Sequence, residues 1–194
     1  RGAFVQEELD LNRLILEFRR LLDAAVPKGV ELRFELGDGL PGVMADATQL
    51  RQVLVNLVTN AADAIGTAGG TITVRTAVSG LAGRRLVLEV SDDGPGIPED
   101  TVSRIFDPFF STKQTGRGLG LAAAQGIVRG HGGTLVVESH AGQGTVFQAR
   151  LPGLDHPVPQ AAEPAAAQVA EPSLDTRAGG LILVVDDEVH VRRI

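Results

Sequence analysis

Apolar residues recur along this chain at two distinct periods. From Asp10 to Ala25 they fall at Leu11, Leu14, Ile15, Phe18, Leu21 and Leu22, a helical stripe. Val30 to Leu36 alternates instead, with Val30, Leu32, Phe34 and Leu36 on one face and Glu31, Arg33 and Glu35 on the other. That is a half-buried strand, followed by a Gly/Pro-rich turn over Gly37–Gly42. Asp46 opens a long helix, with Gln49 three residues on as an Asp version of the capping box. Its apolar face is Leu50, Val53, Leu54, Leu57, Ala61 and Ile65, and it stops at the Gly66–Gly70 cluster. Thr71–Val78 and Arg85–Val90 read as strands. Ser91–Gly120, dense in Gly, Pro, Asp and Ser, reads as a long functional loop. A helix over Leu119–Val128 and two closing strands, Thr134–Ser139 and Val146–Leu151, complete the pattern. Mixed helices and strands predict an α/β layered fold.

The pattern breaks after Pro152. Residues 153–180 are rich in Ala, Pro and Glu without core periodicity, which reads as a semi-stiff linker. At Leu181 an apolar run resumes in "LILVVDDE". A content of 43% hydrophobic residues suffices for a real core. The net charge of −6 leaves no electrostatic footprint for nucleic acid. With no cysteine there is no disulfide framework, thiol nucleophile or cysteine zinc site. No apolar run approaches a membrane span, so no membrane contact by this fragment is expected, and a cytoplasmic setting suits it. The sequence opens at Arg1 without methionine and reads as a piece of a longer protein, whose parent could still carry a membrane anchor.

Four segments carry candidate chemistry. On the long helix, Gln49, Gln52, Asn56, Asn60 and Asp63 share one polar stripe beside the apolar face. Amide oxygens are hard donors that suit magnesium, although a solvated stripe with incidental amides has the same spacing. In "VSDDGPGIP" a strand delivers Asp92 to its carboxyl end, ahead of Gly94 and Gly96. A buried carboxylate there accepts from an exocyclic amino group, which adenine has and guanine lacks at that edge; a plain Asp-Gly turn is the competing reading. "FDPFFSTK" gathers Phe106, Phe109 and Phe110, expected to bury in the core and anchor a lid. That would leave Lys113 to reach phosphates, or merely solvated. "GRGLGL" runs into a helix whose N-terminus favours anions. It is neither a Walker A loop nor a dinucleotide fingerprint, and protein-kinase signatures are absent.

In this order the four segments resemble the N, G1, F and G2 boxes of the sensor histidine kinase ATP-binding domain. The resemblance covers about Leu9 to Pro152 and includes "LPGVMADATQLRQVLVNLVTNAADAI" and "GHGGTLVVESHAGQGTVFQARLP". It implies a Bergerat-type two-layer α/β sandwich, a mixed sheet with helices on one face, over residues 1–152. It further implies ATP and Mg2+ as cofactors. Asn60 would coordinate the metal, with Asn56 supporting it and Asp63 near the phosphate end. Asp92, Gly94 and Gly96 would receive adenine. Lys113, Gly116, Arg117, Gly118, Leu119 and Gly120 would hold the phosphates. Phosphoryl transfer needs positioning and charge neutralisation more than covalent chemistry, so such a set suffices.

The implied partners are a histidine-bearing dimerisation domain and a response-regulator receiver domain. His131, His140, His156 and His190 all follow the start of the ATP domain, so the phosphoacceptor histidine is expected elsewhere and these four are read as structural or incidental. The tail "ILVVDDEVHVRRI" resembles the opening of a receiver domain over 181–194, with Asp186 and Asp187 matching its acidic magnesium pair, as in a hybrid kinase. Two other classes share such a pocket. Clamp-type ATPases use a Glu base where this chain has Asn56, and a degenerate pocket would act only as an interaction module.

Overall fold

A computed structural model describes residues 5–80, 85–111 and 118–158. The elements in chain order are β1 (Glu7–Leu9), α1 (Leu11–Ala25), β2 (Val30–Leu36), β3 (Val43–Ala45), α2 (Ala47–Ile65), β4 (Gly70–Ser79), β5 (Arg85–Asp92), α3 (Glu99–Val102), α4 (Gly120–Gly130), β6 (Thr134–Ser139) and β7 (Thr145–Pro152). Five strands form one mixed sheet in the order β2-β4-β5-β7-β6, parallel between β2 and β4 and antiparallel elsewhere. β1 and β3 form a separate antiparallel pair that the sequence pattern did not show, because three residues are too few to establish a period of two. The short helix α3 lies inside the predicted loop.

Side-chain alternation decides which sheet face is covered. Val74, Val90 and Phe147 stand in one cross-strand row, and Thr76, Leu88 and Ala149 in the next. All six are buried. α2 covers these rows with Leu50, Val53, Leu54, Leu57, Val58 and Ala61, each at most 1% exposed. The core-facing Thr76 is satisfied because its Oγ1 donates to Asn12 Oδ1 at 2.6 Å and accepts the Gly37 N–H at 3.0 Å, which ties α1 to the sheet. The opposite sheet face carries the charges, with Gln148 donating to Glu89 at 2.8 Å. This is the expected two-layer arrangement of a mixed sheet with helices on one face.

The helix starts follow their caps. Asp10 accepts the Arg13 N–H at 3.1 Å and Asp46 accepts the Gln49 N–H at 3.0 Å. The second cap departs from a full capping box: the Asp46 backbone N–H goes to His131 Nε2 at 3.0 Å instead of to the Gln49 side chain. Residues assigned to the linker also begin inside the fold. Leu154 N–H donates to Gly42 O at 2.7 Å and Gly42 N–H to His156 O at 2.9 Å, so the chain stays on the folded unit through this stretch. Among the described residues no helix is long and apolar enough to cross a membrane. The rest of the predicted linker, the tail with Asp186 and Asp187, and His190 lie outside the described residues.

Candidate functional site

The helix-facing side of the sheet turns polar at one end. Its last row is Ile72, Asp92 and Thr145, with Ser139 opposite Thr145 on β6. β5 runs two residues beyond its predicted end, so Asp92 is a strand residue with its side chain on the core face, 7% exposed. Asp92 Oδ1 accepts the Gly94 N–H at 3.0 Å. The neighbouring Asp93 points the other way and caps the start of β4, accepting the Thr71 N–H at 2.8 Å. Strand alternation therefore separates the two aspartates of "DDG": one is buried beside the helix layer, the other is a surface turn residue.

The loop after Asp92 lies against the end of α2. A Cβ on Gly94 would stand 3.6 Å from the Ala64 carbonyl carbon. Gly96 has another reason to be glycine than the expected approach to a planar base. With φ at 71°, a Cβ there would overlap the His140 carbonyl oxygen of the β6–β7 hairpin. That hairpin fastens the loop: Ile97 N–H donates to Ser139 Oγ at 2.8 Å, and Gly142 N–H to Pro95 O at 2.7 Å. The sequence reading missed Ser139 and Thr145 as supports of the site. The only signal was a Gly-rich turn, which reads as a plain hairpin.

The amide stripe of α2 is where the helical period placed it. Asn56 and Asn60 are half-buried, while Gln52 and Asp63 are exposed. Asn56 Oδ1 accepts from Gln52 at 2.8 Å, and Asn56 Nδ2 donates to Gly120 O at 3.0 Å, in the first turn of α4. The stripe thus faces the helix N-terminus predicted to take anions. Gly118 holds φ at 64°, and its carbonyl accepts the Phe109 N–H at 3.0 Å, which joins the chain on either side of residues 112–117. Lys113, Gly116 and Arg117 lie outside the described residues, and Gly118, Leu119 and Gly120 lie within them.

The aromatic expectation is corrected at one residue. Phe106 packs edge-on against Phe147, with ring centroids 6.4 Å apart, and Phe110 is half-buried under the Arg104 guanidinium. Phe109 does not bury: it is 78% exposed with φ at 68°. The left-handed backbone at Phe109 turns the chain so that Phe110 faces inward and Phe109 outward.

Magnesium fits this donor set only together with a substrate. Among the described residues no group of three His, Cys, Asp or Glu side chains is placed to hold a metal. Neutral amide oxygens at Asn56 and Asn60 suit an ion that keeps its waters and leans on phosphates. Of the titratable groups near α2, Asp46 is held below the ordinary 3.8 for its type, first by the hydrogen bond from the Gln49 N–H and further by that from Val5.

Residues 45–155 match the family described as histidine kinase-, DNA gyrase B- and HSP90-like ATPases. Sensor kinase CckA of Brucella abortus is 39% identical over 202 residues, covering 96% of this chain and 21% of that protein. The catalytic domain of histidine kinase ThkA is 34% identical with a TM-score of 0.64, covering 76% of this chain and 95% of that one. Full-length ShkA in complex with AMPPNP is 30% identical with a TM-score of 0.69, covering 81% of this chain and 33% of that one. The chain spans about a fifth to a third of the length of the curated relatives it matches.

Proposed function

The chain belongs to the histidine kinase-, DNA gyrase B- and HSP90-like ATPase family, as the ATP-binding catalytic domain of a histidine kinase, and on that premise we propose that it binds Mg-ATP and passes the γ-phosphoryl group to a histidine on a separate dimerisation domain. One observation carries the reading. The α2 stripe is bounded by Gly120 at Asn56 and by the Gly94 loop at Ala64. Eight helical residues separate those ends, about 12 Å at 1.5 Å per residue. That span suits a nucleoside triphosphate with its base at Asp92 and its phosphates at the α4 N-terminus.

In this reading Asp92 accepts from the adenine amino group, with Gly94 and Gly96 shaping the loop beside it. Asn60 holds magnesium, which supplies charge neutralisation at the phosphates. Asn56 aligns Asn60 with the α4 turn, and Asp63 stands near the same end. Gly118, Leu119 and Gly120 offer backbone N–H groups to the phosphates, joined by Lys113, Gly116 and Arg117 from the lid. The ATP analogue in the similar ShkA structure supports a nucleotide in this fold. Phe109 and Leu119, 78% and 43% accessible on either side of residues 112–117, are offered to the dimerisation domain in this reading. Residues 181–194 open a receiver domain in this reading, supported by Asp186 and Asp187 and by the length of the CckA alignment. In this reading the transfer takes place in the cytoplasm.

Asn56 separates this reading from a clamp ATPase. A neutral amide that donates to Gly120 O cannot take a proton from water. The test supplies radiolabelled Mg-ATP and a histidine-bearing dimerisation domain in trans. Acid-labile label on that domain, with little free phosphate, is expected. Rapid steady phosphate release without acceptor would move the chain to the hydrolytic class.

A further inference from the structure

His131 is 6% exposed and closes the C-terminus of α4, far along that helix from the phosphate turn. Its ring touches two backbone groups of fixed polarity. Ile127 O, 2.8 Å from Nδ1, can only accept, so Nδ1 carries the proton. The Asp46 N–H, 3.0 Å from Nε2, can only donate, so Nε2 is the lone-pair nitrogen. The partners therefore select one neutral tautomer.

The second partner matters for its place. Asp46 is the N-cap of α2, and its N–H is left unpaired by the helix itself. Its carboxylate is engaged by Gln49 N–H and Val5 N–H, so the imidazole supplies the acceptor for the backbone. α2 and α4 are antiparallel, joined at one end by Asp46 and His131 and further along by Asn56 and Gly120. The two joints are ten residues apart on α2 and eleven on α4, about 15 and 16.5 Å at 1.5 Å per residue. Two joints at matched spacing fix both the sliding and the rotation of one helix against the other. Between the joints Ala124 and Val128 seat α4 in the core, and the His131 joint sets the register that this non-directional packing leaves adjustable.

We propose that His131 is a positioning residue for the nucleotide site: its neutral imidazole pins the end of α4 to the start of α2, and so holds the Gly118–Gly120 turn in register with Asn56 and Asn60. This rests on the nucleotide reading above, but the clamp itself is a statement about two helices and has its own readout. His131 acts through Asn56 and Gly120 and touches no substrate.

Two substitutions divide the ring's roles. His131→Gln places an amide oxygen where Nε2 stood and keeps the acceptor. His131→Asn reaches only the Nδ1 position and loses it. Titration of the whole chain with Mg-AMPPNP should show His131→Gln within about twofold of the wild type and His131→Asn about three- to tenfold weaker, the range expected for one lost hydrogen bond. The Asn56 side-chain amide resonances should move with His131→Asn and stay with His131→Gln. A folded His131→Asn that binds as the wild type and leaves the Asn56 resonances in place overturns the proposal. Should both variants fail to fold, the wild-type 15N shift of His131 decides, since a protonated Nε2 contradicts the clamp. Failure of the wild type to bind Mg-AMPPNP would instead sink the nucleotide reading, and the Asn56 resonances would still judge the clamp.

Discussion

Replacing Asp92 by Asn changes no shape and reverses the hydrogen-bond polarity of half the group. The wild-type carboxylate only accepts. Oδ1 takes the Gly94 N–H at 3.0 Å, and the side chain is 7% exposed on the core face of β5. In the proposed reading the adenine amino group donates to the same carboxylate. Asn brings one oxygen and one NH2. With the oxygen kept on Gly94, the NH2 meets the adenine amino group, donor against donor. With the amide flipped, the Gly94 N–H loses its acceptor. Either way one charge-assisted hydrogen bond goes, worth about 1.5–3 kcal/mol, so an ATP analogue should bind about ten- to a hundredfold more weakly. Guanine presents an acceptor where adenine presents the amino group. It is repelled by the carboxylate and accepted by the Asn NH2, so binding of a GTP analogue should improve. Calorimetric titration with both analogues, alongside thermal unfolding of each variant, reads both effects. Equal loss for both nucleotides would mean that Asp92 acts on the loop and not on the base. Unchanged binding of both by a folded variant would refute the adenine assignment.

Two further outcomes follow from the same structure. Asp46 has its folded pKa lowered below 3.8, so its stabilising effect is full above the unfolded value and disappears as pH falls through the folded one. The advantage of wild type over Asp46→Asn should therefore be constant at neutral pH and fall to a lower plateau in acid, as read from urea midpoints across pH; an advantage that grows in acid would contradict the capping geometry. Two phenylalanines should behave oppositely in thermal unfolding. Phe147, fully buried, should cost about 3–5 kcal/mol when cut to Ala. Phe109→Gly removes an exposed ring and a left-handed backbone strain of about 1–2 kcal/mol, offset by about 0.5–1 kcal/mol of glycine entropy, so stability should hold or rise slightly. A loss above about 1 kcal/mol would mean that Phe109 makes contacts this exposure denies.

The helices α1, α2 and α4 and the five main strands were legible because each carries its own period, helical or alternating, over enough residues to be recognised. The amide stripe was legible for the same reason, since spacing along a helix is a local property. The order of the four boxes then pointed to the family. What sequence order could not supply was anything that depends on two distant segments meeting. The pairing of β1 with β3 joins pieces 34 to 38 residues apart, Glu7 to Ala45 through Leu9 to Val43, and neither piece is long enough to announce itself. That Asp92 faces the core and Asp93 the surface depends on how far β5 extends, which its pairing with β4 and β7 decides. The reason Gly96 must be glycine lies in the hairpin around His140, and the exposure of Phe109 in a single left-handed backbone angle. His131 read only as structural or incidental, with no partner named, because Asp46 is 85 residues away. Local periodicity is written in the side chains of one segment; a hydrogen bond across the fold exists only once the core has brought its two ends together.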